Sequence, residues 1–228
     1  MAEKQQIKVT AVKVLCYVEK VSSFASSIDP LFGIVTSVIG VVKKGLVDEE
    51  DHEMHKDFQQ IHEKLESISE KNKKVLQQIR MNEINQNYGK HKEAIKHQYS
   101  AFNTMVEKVK LNPENSDHHM QEFVKIYRGD QNDKNLDVFY RGVMGTPTAF
   151  SSMSILQVYL DKCDRNKKKM EACCSNLAHL FYIGLMTLMA YVAVTEGDED
   201  KVRAKWGQRV IEIQTKMQEA LDQCTEEN

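Results

Sequence analysis

The sequence LAHLFYIGLMTLMAYVAV at positions 177–194 decides how the rest of the chain is interpreted, because its one ionisable group besides two tyrosines is His179. Eighteen residues of helix extend roughly 27 Å, close to the ~30 Å hydrocarbon core of a bilayer. A helix that is apolar on every side is also what the centre of a large soluble bundle requires. The stretch therefore predicts a helix that either enters a membrane or fills the core of the fold.

The charges on either side of this stretch favour the membrane alternative. Five basic residues lie between positions 162 and 169, and four acidic residues lie between 196 and 200. The positive-inside rule would then leave the N-terminal side in the cytoplasm. We predict a membrane-associated protein in contact with lipid, with most of the chain on the cytoplasmic side; the alternative is a cytoplasmic protein. The side chains predicted to contact the membrane are Leu177, Leu180, Phe181, Ile183, Leu185, Leu188 and Tyr191.

The composition of the whole chain indicates helix. Its 228 residues include only ten Gly and three Pro, whereas Lys, Glu, Gln, Met and Leu, which favour helix, are plentiful. The near balance of 31 basic and 33 acidic residues argues against a nucleic-acid binder. We predict an all-α fold in a single domain, 1–228, built as a bundle of long, partly coiled-coil-like helices around a central apolar helix.

Apolar residues at steps of three and four predict the individual helices of the first half. Helices are expected over 3–27 and, after a break at Asp29-Pro30, over 31–42. The phase of the next stripe slips over 82–89, so either one long helix continues or two helices meet, and we favour a bend near Gly89. The stripe that precedes the slip predicts a coiled-coil seam with one polar member: Phe58, Ile61, Leu65, Ile68, Asn72, Val75 and Ile79.

The second half contains the least regular segment. A short helix is expected over 116–127. The stretch 129–147 then has three Gly, one Pro and several Asn and Asp, which predicts a long loop with at most a short turn near 136–140. One helix should run from about position 148 to 194, and a last amphipathic helix should cover 202–221.

Three long strings resemble a known family. They are AVKVLCYVEKVSSFASSIDPLFGIVTSVIGVVKKGLVDEED at 11–51, KDFQQIHEKLESISEKNKKVLQQI at 56–79 and CCSNLAHLFYIGLMTLMAYVAV at 173–194. These strings resemble the rapunzel family of fish proteins, and the resemblance spans most of the chain. It implies a role linked to the control of skeletal and fin growth. It implies no catalytic residues.

Two cysteines are candidate acylation sites. The chain has five cysteines, an odd number without a C-x-x-C pair, so reduced thiols are expected. Cys173 and Cys174 follow three consecutive lysines and precede the apolar stretch, as juxtamembrane palmitoylation sites do. The alternative is a pair of small buried thiols.

No arrangement of residues predicts catalysis or a cofactor. The sequence has no phosphate loop, no G-x-G-x-x-G and no G-x-S-x-G. His52, His55 and His62 lack the H-E-x-x-H spacing of a zinc protease. His118 and His119 are adjacent on a helix and are expected to point apart. We predict a non-enzymatic protein without a cofactor, a metal or a nucleic-acid partner.

Two classes of function stay open. In a membrane-associated protein, 177–194 would insert, and 31–42 would be its partner through the small residues Gly33 and Ser37. In a soluble bundle that acts as an interaction or scaffold module, 58–79 and 202–221 would supply coiled-coil faces for a helical partner or for self-association. The same features also fit a helical pore-forming protein.

Overall fold

A computed structural model describes residues 54–146 and 153–226, and in this part of the chain every regular element is helical. The prediction of an all-α bundle is confirmed. The predicted helices over 3–27 and 31–42, the second of which is the proposed partner segment, lie outside the described residues. The seven described helices are α1 (Met54–Leu76), α2 (Asn82–Leu111), α3 (Ser116–Gly129), α4 (Lys134–Met144), α5 (Ile155–Lys162), α6 (Lys167–Val194) and α7 (Glu199–Leu221).

Helix α6 contains the uncharged stretch and occupies the centre of the bundle. It contacts each of the other six described helices. Its N-terminus is capped by Asn166, whose side chain accepts a hydrogen bond from the Lys169 backbone N–H at 2.9 Å. The buried residues of the described helices form one continuous core around it. The single domain predicted over 1–228 stays a prediction.

The described part of the predicted seam packs on α6. The side chains of Phe58 and Ile61 lie outside the described residues, and Ile79 lies in the turn after α1. Leu65 and Ile68 are fully buried, and Asn72 is buried with them. The Asn72 side-chain amide donates to the Ser175 hydroxyl of α6 at 2.8 Å, which satisfies the polar member of the stripe. Leu65, Ile68 and Asn72 therefore cover the central helix in this fold, where they are not available to a partner.

The bend predicted near Gly89 is wrong in position. Helix α1 ends at Leu76 and α2 begins at Asn82, whereas Gly89 lies inside α2. The turn is closed by local backbone hydrogen bonds, including that from Ile79 N–H to Leu76 O at 3.1 Å. The spacing of the apolar stripe changes here because the buried Ile79 belongs to the α1–α2 turn, whereas the buried Ile84 belongs to α2. Gly89 is not part of the turn.

The long loop predicted over 129–147 is also wrong, because most of this stretch is helix α4. Two residues with positive φ, Gln131 at 69° and Asn132 at 55°, make the tight turn that precedes it. Leu136, Phe139 and Val143 then recur at helical spacing and are buried. Asn and Asp are concentrated in the turn, which leaves enough apolar residues for a helix that packs on α2.

The continuous helix predicted from 148 to 194 is divided into α5 and α6. The described part of this segment contains a tight turn in which Asp164 and Arg165 have φ values of 52° and 55°. Asp and Asn tolerate this left-handed conformation better than most residues, and here Arg165 is held in it as well. The residue after them, Asn166, caps α6, so the turn both ends one helix and starts the next.

The last helix, α7, packs through the predicted apolar stripe. Trp206, Ile213 and Met217 are fully buried. An ion pair between Arg209 of α7 and Asp137 of α4 lies at the edge of this contact. The stripe is therefore used inside the fold, like the seam of α1.

Candidate functional site

The predicted membrane-contact residues lie in the interior of the described bundle. Twenty of the 28 residues of α6 are buried. Six of the seven predicted residues are at most 5% exposed, and they are Leu177, Leu180, Phe181, Ile183, Leu185 and Leu188. In this conformation their side chains contact protein, so a lipid contact would require that α6 leaves the bundle. Membrane contact stays a prediction.

The seventh residue, Tyr191, lies at the edge of the core. Its ring stacks on that of Tyr127 with 4.5 Å between the ring centroids. Its hydroxyl accepts a hydrogen bond from Arg128 Nε at 3.0 Å, and the Arg128 guanidinium lies 5.8 Å from the centre of the ring. Tyr191 thus anchors the C-terminal end of α6 to α3 through polar and aromatic contacts with protein.

Gly184 leaves no space for a side chain between α6 and its neighbouring helices. A Cβ added there would lie 2.5 Å from Leu136 Cδ2 on α4 and 3.3 Å from Ile95 Cγ2 on α2. Helices α4 and α2 of the same chain therefore pack closely against α6 at this position.

His179 is the one titratable group near the middle of α6 other than the tyrosines. Burial lowers its pKa to about 4, and the nearby side chains of Lys96, His62 and Lys92 act in the same direction. A hydrogen bond with the Leu65 backbone opposes this shift. The Nε2 atom is buried and has no hydrogen-bond partner among the described residues. The imidazole is therefore neutral at pH 7 and sensitive to acid.

Comparisons with known proteins agree with the resemblance noted in the sequence. The zebrafish protein named Protein rapunzel is 33% identical over 222 residues, which cover 97% of this chain and 96% of that protein. This chain belongs to the rapunzel family. A family model described as a cephalotoxin-like middle helical domain matches residues 47–227 of the rapunzel-family chain, a range that contains all seven described helices. No solved structure matches it.

The candidate acylation sites of this rapunzel-family protein are buried. Cys173 and Cys174 have no exposed surface, and neither has Cys163 of the α5–α6 turn. The Cys163 and Cys173 sulfurs are 3.6 Å apart as free thiols. The hydrogen bond with Cys163 together with burial raises the pKa of Cys173, and burial raises that of Cys174. Acylation would thus require exposure of these thiols, and it stays a prediction.

The adjacent histidines of α3 do not point apart, contrary to the prediction. The ring centroids of His118 and His119 are 5.6 Å apart. Both rings reach Glu122, with N–O distances of 3.7 and 3.5 Å. Lys108 Nζ also contacts Glu122 at 2.9 Å, so the carboxylate of Glu122 already forms an ion pair with a lysine. Of the histidines considered for a metal site, His52 and the side chain of His55 lie outside the described residues.

Sequence reasoning missed two features of this core. One is the buried hydrogen bond between Asn72 and Ser175, whose sequence signal is a single amide in an apolar seam. The other is the neutral His179, whose sequence signal is one imidazole in an otherwise uncharged run. Each signal identifies an unusual residue, and the partner becomes apparent only when α1 is packed on α6.

Proposed function

We propose that this rapunzel-family protein is a non-enzymatic helical bundle that acts by binding, and that the closed bundle is its water-soluble form. The observation that carries the proposal is the enclosure of α6 by the six other described helices. Fully burying a large apolar side chain stabilises a fold by roughly 1.5–3 kcal/mol. Withdrawal of α6 into water would expose many such side chains at once, whereas a whole domain is stable by only about 5–15 kcal/mol, so in water α6 stays enclosed.

The polar residues inside the bundle support a binding role over a catalytic one. In the described ranges, the imidazole of His179 is kept neutral by burial, and the other buried polar side chains are amides and hydroxyls: Asn72, Gln98, Ser116, Asn135, Asn166, Ser175 and Thr187. Their bonds hold helices together, as that between Asn72 and Ser175 does. General acid–base catalysis needs a positioned titratable group that substrate can reach. The interior of this core is arranged for packing.

A protein partner would meet the outer faces of the helices. The seam of α1 and the stripe of α7 are both buried in the core. A helical partner or a second copy of the chain would therefore contact outward residues such as Ile211 of α7, which is 59% exposed. A cytoplasmic location accompanies this proposal, and a role connected with skeletal and fin growth rests on the family resemblance.

Membrane association through a released α6 is the second candidate. In the described part of the chain, α6 is the one helix that is long and apolar enough to cross a membrane. Leaving the bundle would let α6 enter lipid while amphipathic helices such as α4 lie at the interface. In that bound form most of the chain would remain on the cytoplasmic side.

Fractionation of cells that express the full chain distinguishes the two candidates. The closed bundle predicts recovery in the soluble fraction, or release from membranes by high salt and carbonate. Retention in the carbonate-washed pellet would contradict it and favour an inserted α6. Leu185→Lys should abolish the cooperative unfolding of the soluble protein, because a charge would enter the core. Leu111→Lys is the matched control, because Leu111 is 82% exposed.

A further inference from the structure

An unassigned groove lies where the end of α1, the first half of α2 and the middle of α6 meet. Its volume is about 640 Å³, within the roughly 300–1,000 Å³ of typical small-molecule sites. Along α2 it extends from Asn82 to Lys96, which is about 21 Å of helix. One leaflet of a bilayer contributes about half of the ~30 Å hydrocarbon thickness, so the groove is long enough for an acyl chain.

The floor of the groove is apolar and partly aromatic. Side chains from five helices, α1, α2, α4, α5 and α6, and from the α1–α2 turn line the groove. The principal apolar members are Leu76, Ile79, Ile84, Tyr88, Phe139 and Leu177. Gly89 also lines the groove, and a Cβ added there would have no atom within 4 Å. The space above this part of α2 is therefore open.

The rim of the groove is positively charged, although the whole chain has a net charge of −2. Four basic residues line it against one acidic residue, Glu70: they are Lys73, Arg80, Lys92 and Lys96. Lys73 pairs with Glu70 and Lys96 pairs with Glu93, each at 3.4 Å. Within the described residues, Arg80 and Lys92 have no ion-pair partner. The rim thus has a surplus of positive charge that an anion would neutralise.

Lys92 is the residue to which we assign the role of anchor for such an anion. It is half-buried, and burial together with the neighbouring Lys96 lowers its pKa. Lys96 lies one helical turn away, so two cations approach the same end of the groove. His179 lines this part of the groove too, and its buried Nε2 has no hydrogen-bond partner among the described residues. A phosphate beside Lys92 would stabilise its charged form.

We propose that this groove binds one anionic amphiphile, with a phosphate headgroup beside Lys92 and Lys96 and an acyl chain along the apolar floor. The inference deepens the proposed binding function by naming a ligand class, and it rests on the closed bundle. The two remain distinguishable. Failure to bind the amphiphile by a soluble protein would end this inference alone, whereas an integral membrane protein would contradict the closed bundle.

Binding is tested with the purified full chain and monomeric 1-oleoyl-lysophosphatidate, by calorimetry and native mass spectrometry. The expected result is saturable binding of one molecule per chain. Mono-oleoylglycerol, which has the same chain without the phosphate, should bind at least about tenfold more weakly. Inorganic phosphate should compete poorly because it lacks the chain. Equal affinity for the uncharged lipid, or no binding of the lysophosphatidate, would overturn the proposal.

Two matched pairs of variants locate the site. Gly89→Leu should fill the groove and weaken binding at least about tenfold without lowering Tm, because a larger side chain has space there. Gly207→Leu makes the same change in α7, where an added Cβ also has no atom within 4 Å, and it should bind normally. Lys92→Gln should weaken binding, whereas Lys90→Gln, an exposed neighbour on α2, should not. Undiminished binding by Gly89→Leu would refute the assignment.

An experiment with vesicles distinguishes lipid binding in the groove from attraction of a basic surface to anionic lipid. Wild-type protein and Gly89→Leu are sedimented with vesicles of phosphatidic acid in phosphatidylcholine, with and without lysophosphatidate. Thermal unfolding of both proteins is measured in parallel. The groove predicts that lysophosphatidate raises the Tm of wild-type protein but not that of Gly89→Leu. If both proteins bind the vesicles equally and lysophosphatidate protects neither, attraction of the surface lysines to the anionic vesicles explains the binding. The groove proposal then fails.

Discussion

Acid should destabilise this protein through His179 of α6. Burial lowers the pKa of this imidazole to about 4 in the folded protein, whereas an unfolded chain has a His pKa of about 6.5. As the pH falls, the unfolded chain therefore binds a proton before the folded chain does. The contribution of the neutral imidazole to the free energy of unfolding is fully present above about pH 6.5. It is lost progressively between about pH 6.5 and 4.

The size of this loss follows from proton linkage. The two pKa values give a decrease in the free energy of unfolding of about 2 kcal/mol at pH 5 and about 3 kcal/mol at pH 4, relative to neutral pH. A domain that is stable by about 5–15 kcal/mol would lose a substantial fraction of its stability. Protonation would place a positive charge beside Leu65 and near two lysines, with Nε2 enclosed by protein.

Urea unfolding at a series of pH values measures the effect. Trp206 is the only tryptophan of the chain and is fully buried, so its fluorescence reports on the core, and circular dichroism checks the helices. His179→Asn keeps an amide that can hydrogen-bond the Leu65 backbone but does not titrate. It should lose about 2 kcal/mol less than wild type between pH 7 and 5. His118→Asn, at an exposed position, should behave as wild type. An equal loss in wild type and His179→Asn would refute the reasoning.

Three further predictions concern the packing of α6. Gly184→Val should lower Tm and cost about 1–3 kcal/mol in urea unfolding, because Leu136 occupies the space of the new side chain; an undiminished Tm would contradict this close contact. Ser175→Ala should cost about 1–3 kcal/mol by leaving the buried Asn72 amide unpaired, and adding Asn72→Leu should recover part of the loss in a double-mutant cycle. Cys173 should react with N-ethylmaleimide, detected by mass spectrometry, only after unfolding in urea; labelling of the native protein would show that the core opens.

The helices that were predicted correctly are those whose local pattern agrees with their surroundings. The stripe containing Leu65, Ile68 and Asn72 identifies the buried face of α1, and the stripe containing Trp206 and Ile213 identifies that of α7. In both cases the apolar spacing of three and four residues has only one consistent interpretation, which is a helix with one buried face.

The predictions that were wrong relied on composition where tertiary packing was decisive. Gly89 suggested a bend, although a helix passes through it because the neighbouring residues already pack at helical spacing. The Gly, Asn and Asp of 129–147 suggested a loop. They are divided between a tight turn and α4, whose apolar face is stabilised by α2. Local propensity is a weak preference that burial on a neighbouring helix can override.

By itself, the sequence determined that this protein is helical and that one helix, 177–194, must be removed from water. Transfer out of water is favourable in proportion to apolar area, and this quantity is similar whether the new surroundings are lipid or protein. Only the tertiary structure decided which surroundings the helix has in the described fold. Six helices of the same chain enclose α6, with Leu136 against Gly184 and Asn72 bonded to Ser175. Such contacts join residues far apart in the chain, so no local pattern contains them.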